Sequence, residues 1–356
     1  MQKLTIVTSC IAMVLLPPAV NSAVFVEVAS ASYCPDCPPA SELLFKIYSS
    51  REYPFYYVTM VGDKNERAYE RIKDDYNFYW YPTAFFDGGY KIVLGADEEE
   101  YRSAIEDCMK RDVPSIRLNL NTSWNQCPCW QGIEIEIEME NNGDTNYGGN
   151  LKVYIAEINS RWEDNAGGPY NFAFLDFAYD ENITLTAGEE IYLTIAWIPE
   201  QEGYPDIDQY DMNNIMVYAV LFNKTAHLEY ANPPDKNPFN AYYVDAVSAD
   251  APGGNISPFI SIISPKQNYL YILDREIIPL SKTVIIGKKT VEISAFDEDG
   301  IDKIEIYVDD ILQAEIMEGE KWVWKNTIGQ HTLKAVAYDI YNLQSSDSIE
   351  AFIFSP

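Results

Sequence analysis

The sequence predicts a multidomain protein in which an α/β domain is followed by two antiparallel β-sandwich domains. Three observations support this expectation. The chain has 356 residues, which allows two or three domains at about 150 residues each. Residues 24–112 alternate strand and helix signals, whereas a period of two replaces the helical period over residues 113–250. A Pro- and Gly-containing linker at 251–257 precedes the last region, 258–356.

The first 23 residues have the pattern of an export signal. Lys3 supplies a positive charge, an apolar stretch follows, Pro17 and Pro18 end it, and small residues lead to Ala23. We therefore expect a secreted or extracytoplasmic protein, at a cell surface or in a periplasm-like space, where disulfides persist. The alternative is a membrane anchor formed by an uncleaved signal.

The charge of the chain excludes some classes of partner. Its formal net charge is −30, from 55 acidic and 25 basic residues. Such a field repels nucleic acid and anionic lipid surfaces, so we discount both as partners.

The α/β region shows a definite order of elements, namely strand, helix, strand, helix, two strands and a helix. Pro38 and Pro39 suit the first turn of a helix, where a missing N–H costs nothing. Asp87-Gly88-Gly89 is typical of a tight hairpin turn. The predicted strands are 25–29, 55–61, 83–86 and 90–94.

The sequence patterns of residues 113–250 and 258–356 predict β-sandwich domains. Residues 133–140 alternate Ile or Met with Glu, which predicts a strand with one buried face. An aromatic-rich loop is expected at 162–174. Short strands separated by turn signals predict an immunoglobulin-like sandwich over 258–356.

The motif Cys34-Pro35-Asp36-Cys37 is the sharpest chemical feature. It follows a predicted buried strand and begins a helix. Thiols at this spacing can close a disulfide across the first turn, and the helix N-terminus stabilises a thiolate at the first of them. Cys34 is therefore the candidate nucleophile, and Cys37 would resolve the mixed disulfide.

Residues 24–112 resemble the thioredoxin family. The resemblance rests on the first strand, the Cys34–Cys37 motif, the segment Tyr81-Pro82-Thr83 before a hairpin strand, and the closing helix. It implies an α/β thioredoxin-like fold and a cis bond at Tyr81–Pro82, with Pro82 beside the two cysteines, helping to hold an extended substrate.

Four further residues are candidates at this site. Tyr33 and Tyr81 flank the cysteines and the proline, and with Asp36 they are candidate substrate-binding residues. The negative charge of Asp36 opposes thiolate formation, so we expect a less extreme oxidant than family members that carry His at that position. The resemblance suggests Glu27 as a buried carboxylate that relays a proton to or from Cys37; the alternative is an exposed strand glutamate.

The other cysteines leave several arrangements open. A structural bridge from Cys108 to Cys127 or Cys129 is our main expectation. Alternatively, Cys127 and Cys129 form a second redox pair. A zinc site made of these two with Cys34 and Cys37 is a third arrangement.

The sequence contains few residues that could bind a metal or a cofactor. The chain has two histidines, which disfavours His-based metal sites and triads. Asp297-Glu298-Asp299-Gly300 is more typical of a solvated acidic turn than of a calcium site. We predict no metal and no cofactor.

The sequence thus predicts a secreted thiol–disulfide oxidoreductase. Its partners would be protein clients carrying disulfides or dithiols and an unidentified redox partner. The region 258–356 resembles bacterial-type Ig-like modules of secreted and surface proteins, which suggests association with a cell surface. The alternative is a non-catalytic surface binding or adhesion protein in which the Cys34–Cys37 bond is structural.

Overall fold

A computed structural model describes residues 23–127, 130–208, 211–297 and 299–356. Of these residues, 57% lie in strands and 13% in helices. The predicted signal segment lies outside the described residues except for Ala23.

The first region contains all three α-helices of the described chain, in the predicted order of elements. Asp97 caps the third of them, because its side chain accepts a hydrogen bond of 3.0 Å from the N–H of Glu100. The second continues as one π-helical turn, Arg71–Asp75. The elements are β1 Val24–Ser30, α1 Cys37–Ser50, β2 Phe55–Val61, α2 Glu66–Glu70, β3 Thr83–Phe86, β4 Lys91–Leu94 and α3 Glu98–Met109.

The middle region consists of long strands. The loop expected at 162–174 is wrong, because most of these residues belong to β7 and β8, which form an antiparallel hairpin with its tip at 164–168. The strands are β5 Ile116–Asn125, β6 Gly132–Asn141, β7 Tyr147–Glu163, β8 Pro169–Leu185, β9 Glu190–Trp197, β10 Ile215–Asn232 and β11 Lys236–Asp250.

The last region packs a three-stranded sheet, β12-β16-β19, against a seven-stranded sheet, β14-β13-β15-β21-β20-β17-β18, around a shared apolar core. Its strands are β12 Phe259–Ser264, β13 Tyr269–Ile272, β14 Arg275–Pro279, β15 Thr283–Ile286, β16 Lys289–Phe296, β17 Ile301–Val308, β18 Ile311–Ile316, β19 Trp322–Trp324, β20 Thr327–Asp339 and β21 Gln344–Ser355.

One sheet overturns the predicted fold class. Eight strands from the first and middle regions form a single sheet in the order β11-β10-β7-β8-β2-β1-β3-β4. The junction is a parallel contact of β2 with β8, where Thr59 faces Ala173 and its hydroxyl donates to the carbonyl of Asn171 at 2.9 Å. The expected α/β thioredoxin-like fold followed by two separate sandwiches is therefore wrong, because the edge of β2 is covered by a strand more than 100 residues away.

Two apolar cores lie on this sheet. One packs the helices and β1–β4 against β7, β8, β10 and β11. The other lies between the sheet β5-β6-β9 and β7, β8, β10 and β11. In β6 the alternation is as predicted, with Ile133, Ile135, Ile137 and Met139 all buried.

The segment 251–257 is docked on the protein. Ala251 and Ile256 are buried in the first core, beside Phe259 at the start of β12. Phe259 in turn contacts Phe45 of α1, with ring centroids 4.8 Å apart. The last region is thereby fixed against the helix that begins at Cys37.

No helix in the described part of the chain has the length and apolar character needed to cross a membrane.

Candidate functional site

A disulfide joins Cys34 to Cys37, with their Cα atoms 5.4 Å apart. Cys37 is the first residue of α1. A turn precedes the helix, in which the N–H of Cys34 donates to the carbonyl of Ala31 at 3.0 Å. The pair thus has the predicted position, between a buried strand and the first turn of a helix.

Both cysteines have low solvent exposure, and Cys34 is more exposed than Cys37. Cys34 is 6% exposed and Cys37 is 1% exposed. An incoming thiolate must reach the sulfur that it attacks. Both sulfur-bearing residues are thus buried, and Cys34 is the more accessible of the two.

Tyr81 forms one wall of this site. Its ring packs on the small buried cluster of Ala31, Cys34 and Cys37. The bond from Tyr81 to Pro82 is cis, as predicted, and Pro82 is buried at the start of β3. Burial, the largest cause, raises the pKa of the Tyr81 phenol, so the ring stays neutral at physiological pH.

An aromatic ladder leads away from the disulfide; we use this name for Tyr33, Tyr81, Phe78 and Tyr69. Successive ring centroids lie 6.4 Å, 4.8 Å and 6.3 Å apart. Tyr33 is 66% exposed. A row of rings beside a disulfide suits apolar or aromatic side chains of a polypeptide.

Two more aromatic side chains extend the exposed surface before Pro82. Tyr79 and Trp80 are 51% and 53% exposed, with their rings stacked at 6.1 Å. The Trp80 carbonyl accepts a hydrogen bond of 2.6 Å from the Thr83 hydroxyl, which fixes the loop to β3. Sequence analysis did not identify these two residues, although they stand directly before Tyr81.

The loop that carries Cys34 is held by the loop after β2. The Asp63 carboxylate accepts from the N–H of Ser32 at 2.8 Å and from its hydroxyl at 2.5 Å. The N–H of Gly62 donates to the Ser30 carbonyl at 2.9 Å. Asp63 and Gly62 are supporting residues that the sequence alone did not indicate, because the contacts depend on β1 and β2 lying side by side.

Asp36 is exposed and occupies the position before α1, where its side chain makes no capping hydrogen bond. A carboxylate at a helix N-terminus stabilises the helix but disfavours a second negative charge nearby. Asp36 thus lies next to the disulfide and is exposed to solvent.

Glu27 is fully buried on β1 and engaged by three side chains. Arg71 donates to it twice at 2.8 Å, and the hydroxyl of Tyr154 donates at 3.0 Å. Tyr76 donates as well, and its own hydroxyl accepts from Arg71 at 2.8 Å. The exposed alternative for Glu27 is wrong. Its role as a proton relay to Cys37 stays a prediction, and the observed partners favour a structural ion pair.

Among the remaining cysteines, the expected bridge from Cys108 to Cys127 or Cys129 is wrong. Cys108 is free and buried on α3 beside Asp87, and burial is the largest cause that raises its pKa. Cys127 is disulfide-bonded and exposed at the end of β5, and Cys129 lies outside the described residues. To form such a bridge, the Cys108 side chain would have to leave the first apolar core, which its packing opposes.

Cys34 and Cys37 do not form the expected zinc arrangement. Because Cys34 and Cys37 are bonded to each other, they do not offer the two thiolates that the zinc arrangement requires. In the described part of the chain, no group of three or more His, Cys, Asp or Glu side chains is arranged to hold a metal ion.

Comparisons with known proteins give little further information. No family model and no curated protein matches the chain. Among solved structures, protein AGR_C_4864 from Agrobacterium tumefaciens is 17% identical, with a TM-score of 0.40, over 67% of this chain and 96% of that one. The fibronectin(III)-like modules of Clostridium thermocellum CbhA are 22% identical, with a TM-score of 0.22, over 27% of this chain and 98% of theirs.

A third similar structure is trypsin-activated alpha-2-macroglobulin from Escherichia coli. It is 10% identical, with a TM-score of 0.29, over 77% of this chain and 18% of that one. These likenesses are too distant to support an argument about fold or function.

Proposed function

We propose that this protein is a thiol–disulfide oxidoreductase that exchanges disulfides with protein clients through Cys34 and Cys37. The observation that carries the proposal is the disulfide between these residues at the start of α1, with Tyr81 of the cis Tyr81–Pro82 bond packed against it. The local resemblance of these residues to the thioredoxin family belongs to the same proposal.

The reaction is a reversible two-electron exchange. In the reducing direction, the Cys34 thiolate attacks one sulfur of a client disulfide and releases the other client sulfur as a thiolate. The Cys37 thiolate then attacks the Cys34 sulfur of the mixed disulfide. This step releases the second client thiolate and forms the Cys34–Cys37 bond, so the client is reduced and the protein is oxidised. The oxidising direction is the reverse sequence, and a redox partner restores the starting state.

Tyr33, Asp36 and Tyr81 would contact the client in this proposal. Tyr33 is exposed and Tyr81 closes the site from the other side, so a client segment would lie between the rings and over Cys34. The Asp36 carboxylate favours a client segment with basic residues. Pro82 would set the position of the Tyr81 ring.

The export signal expected at residues 1–23 assigns this chemistry to a secreted or extracytoplasmic protein, or to one anchored by an uncleaved signal. The sandwich of residues 258–356 would associate the protein with a cell surface, which adhesive Ig-like modules do by presenting exposed strands and loops.

The low exposure of Cys34 favours a second candidate function. At 6% exposure, the disulfide can equally be a structural staple that closes the turn before α1. The protein would then be a non-catalytic surface binding or adhesion protein.

Exchange kinetics of the chain without residues 1–23 separate the two candidates. We expect it to equilibrate with glutathione redox buffers and to reduce a model protein disulfide, whereas Cys34→Ser abolishes both activities. Cys37→Ser should accumulate mixed disulfides with a cysteine-containing client. Cys108→Ser is the matched control, because it removes a buried thiol on α3 that is not part of the cluster of Ala31, Cys34 and Cys37, and it should leave exchange unchanged.

A lack of exchange would support the structural role of the disulfide. If the wild-type disulfide resists reduction in the folded protein and Cys37→Ser traps no client, the pair is structural and the binding-protein candidate stands.

A further inference from the structure

The seven-stranded sheet of the last region exposes apolar side chains on its outer side. On its inner side, Tyr271, Ile285 and Ile353 are almost completely buried in the core. Successive side chains of a strand point to opposite sides of the sheet, so the residues next to these three point outward. We use the name outer apolar face for six outward residues that are each 37% to 58% exposed, namely Ile272, Ile278, Ile286, Ile328, Phe352 and Phe354.

Strand pairing arranges the outer apolar face in two adjacent rows, because paired residues of neighbouring strands share a side of the sheet. The first row, in the order β13, β15, β21 and β20, consists of Ile272, Ile286, Phe354 and Ile328. The second row connects Ile278 of β14 to Phe352 of β21 through the half-buried Leu270 and Val284. The face is therefore continuous over five strands, from the edge strand β14 to β20.

The size of this face is close to what a stable protein interface needs. At about 200 Å² for a fully exposed large side chain, its six members expose about 600 Å². The largest apolar patch of a typical monomer is about 300 to 600 Å². Two such faces, with Leu273 at their rim and 71% exposed, would bury about 1,200 to 1,400 Å², and specific interfaces bury about 1,200 to 2,000 Å².

Charge favours a second copy as the occupant of this face. The chain has a formal net charge of −30, which repels anionic surfaces and would also keep two copies apart along most of their surface. The two rows contain no acidic side chain. Beside them, the exposed Lys282 and Glu350 each directly precede a member of the pair Thr283 and Ala351. A twofold axis can place the lysine of each copy opposite the glutamate of the other.

We propose that two copies of this protein form a symmetric dimer through the outer apolar face. Two sheets that pack face to face lie about 10 Å apart, and their side chains interdigitate. A twofold axis uses the same face on both copies, so one patch is sufficient for the interface. The dimer does not depend on the proposed exchange chemistry, because the face shares no residue with the cluster of Ala31, Cys34 and Cys37.

Sedimentation velocity of the chain without residues 1–23, the form expected after export, tests the dimer. In about 0.15 M NaCl, we expect wild type to pass from monomer to dimer between about 1 and 100 µM. Phe352→Glu places a charge of the same sign on both sides of the interface, and it should raise the dimer Kd at least about 100-fold. Leu228→Glu is the matched control, because it makes the same change at an exposed residue of β10, and it should dimerise like wild type.

Phe354→Thr is a second variant for the case that Phe352→Glu does not fold, as judged by far-UV circular dichroism. Threonine keeps the preference for a strand but removes the apolar ring, so the dimer Kd should rise about 10-fold. A threonine variant that dimerises like wild type overturns the proposal.

Two further results would also overturn it. One is a wild-type protein that stays monomeric at every concentration, a measurement that does not depend on any variant. The other is a dimer that Phe352→Glu leaves unchanged, because the copies then meet at a different surface. If monomeric wild type instead sediments with phosphatidylcholine vesicles and Phe352→Glu does not, a lipid surface covers the face and the dimer is wrong.

Discussion

Glu27 and Arg71 form a buried ion pair between β1 and the π-helical turn, with both Nε–Oε1 and Nη2–Oε2 at 2.8 Å. The hydroxyls of Tyr76 and Tyr154 complete the hydrogen bonding of the carboxylate. Tyr154 lies on β7, so this network joins the first region to the middle region within the shared sheet.

The first prediction is that Glu27→Gln is strongly destabilising. It leaves the buried guanidinium of Arg71 with only the exposed Asp75 as a counter-charge, and breaking a buried ion pair costs about 3 to 5 kcal/mol. Urea unfolding followed by tryptophan fluorescence measures the loss. Asp75→Asn is the control, because it removes the exposed partner of the same arginine and should cost less than about 1 kcal/mol. A loss below 1 kcal/mol for Glu27→Gln would contradict the structural role.

The second prediction concerns Gly62, which touches the wall of the disulfide site. A Cβ at this position would lie 2.6 Å from the Tyr81 hydroxyl oxygen and 3.3 Å from Ile72. Gly62→Ala should therefore displace the Tyr81 ring, lower stability by about 1 to 3 kcal/mol and change the rate at which dithiothreitol reduces Cys34–Cys37.

Tyr81→Phe supplies the matched second variant, because it removes the atom that the new methyl group meets. In the double variant we expect most of the stability and the reduction rate to return. Equal effects of Gly62→Ala in the two backgrounds would show that Tyr81 does not transmit the change.

The third prediction is a pH dependence in the last region. The hydrogen bond to Asp309, with Nδ1 and Oδ2 2.5 Å apart, is the main cause that raises the pKa of His331 above its usual 6.5. A raised folded-state pKa means that the pair stabilises the protein fully below about pH 6.5 and that this contribution is lost as the pH rises through the raised value.

An NMR titration of the His331 ring checks this prediction directly. Asp309→Asn should bring its pKa back towards 6.5, whereas Asp310→Asn should not. A titration curve that Asp309→Asn does not move would show that the hydrogen bond has no influence in solution.

The fourth prediction is that Cys108 is unreactive in the folded state. Burial and the carboxylate of Asp87 both raise the pKa of the Cys108 thiol, so little thiolate is available at neutral pH. Thiol titration of the chain without residues 1–23 should miss this cysteine in buffer and detect it in urea without reductant. Cys108→Ser should remove that difference, and rapid labelling of the native wild type at Cys108 would contradict the buried position.

Local features of the structure follow from local sequence. The Cys34–Cys37 bond, the cis bond before Pro82 and the capping of α3 by Asp97 each involve residues within a few positions of one another. The alternation of Ile and Glu in β6 predicts its buried face for the same reason, since successive side chains of a strand point to opposite sides.

Contacts between distant residues were not predictable in this way. The pairing of Thr59 with Ala173 decides that β2 is an interior strand, and nothing in residues 24–112 signals it. The free state of Cys108 depends likewise on α3 packing into a core, whereas Cys127 lies on an exposed loop.

The sequence by itself determined local features of the protein: a dithiol motif at a helix start, a proline before β3, and β-rich regions after residue 113. Only the tertiary structure decided that the first and middle regions share one sheet, that Glu27 is saturated by Arg71 and two tyrosines, and that Asp297 is buried with an orphaned oxygen. The reason is physical. Helix caps, turns and strand alternation are set by neighbouring residues, whereas strand pairing and burial depend on which distant surfaces exclude water together.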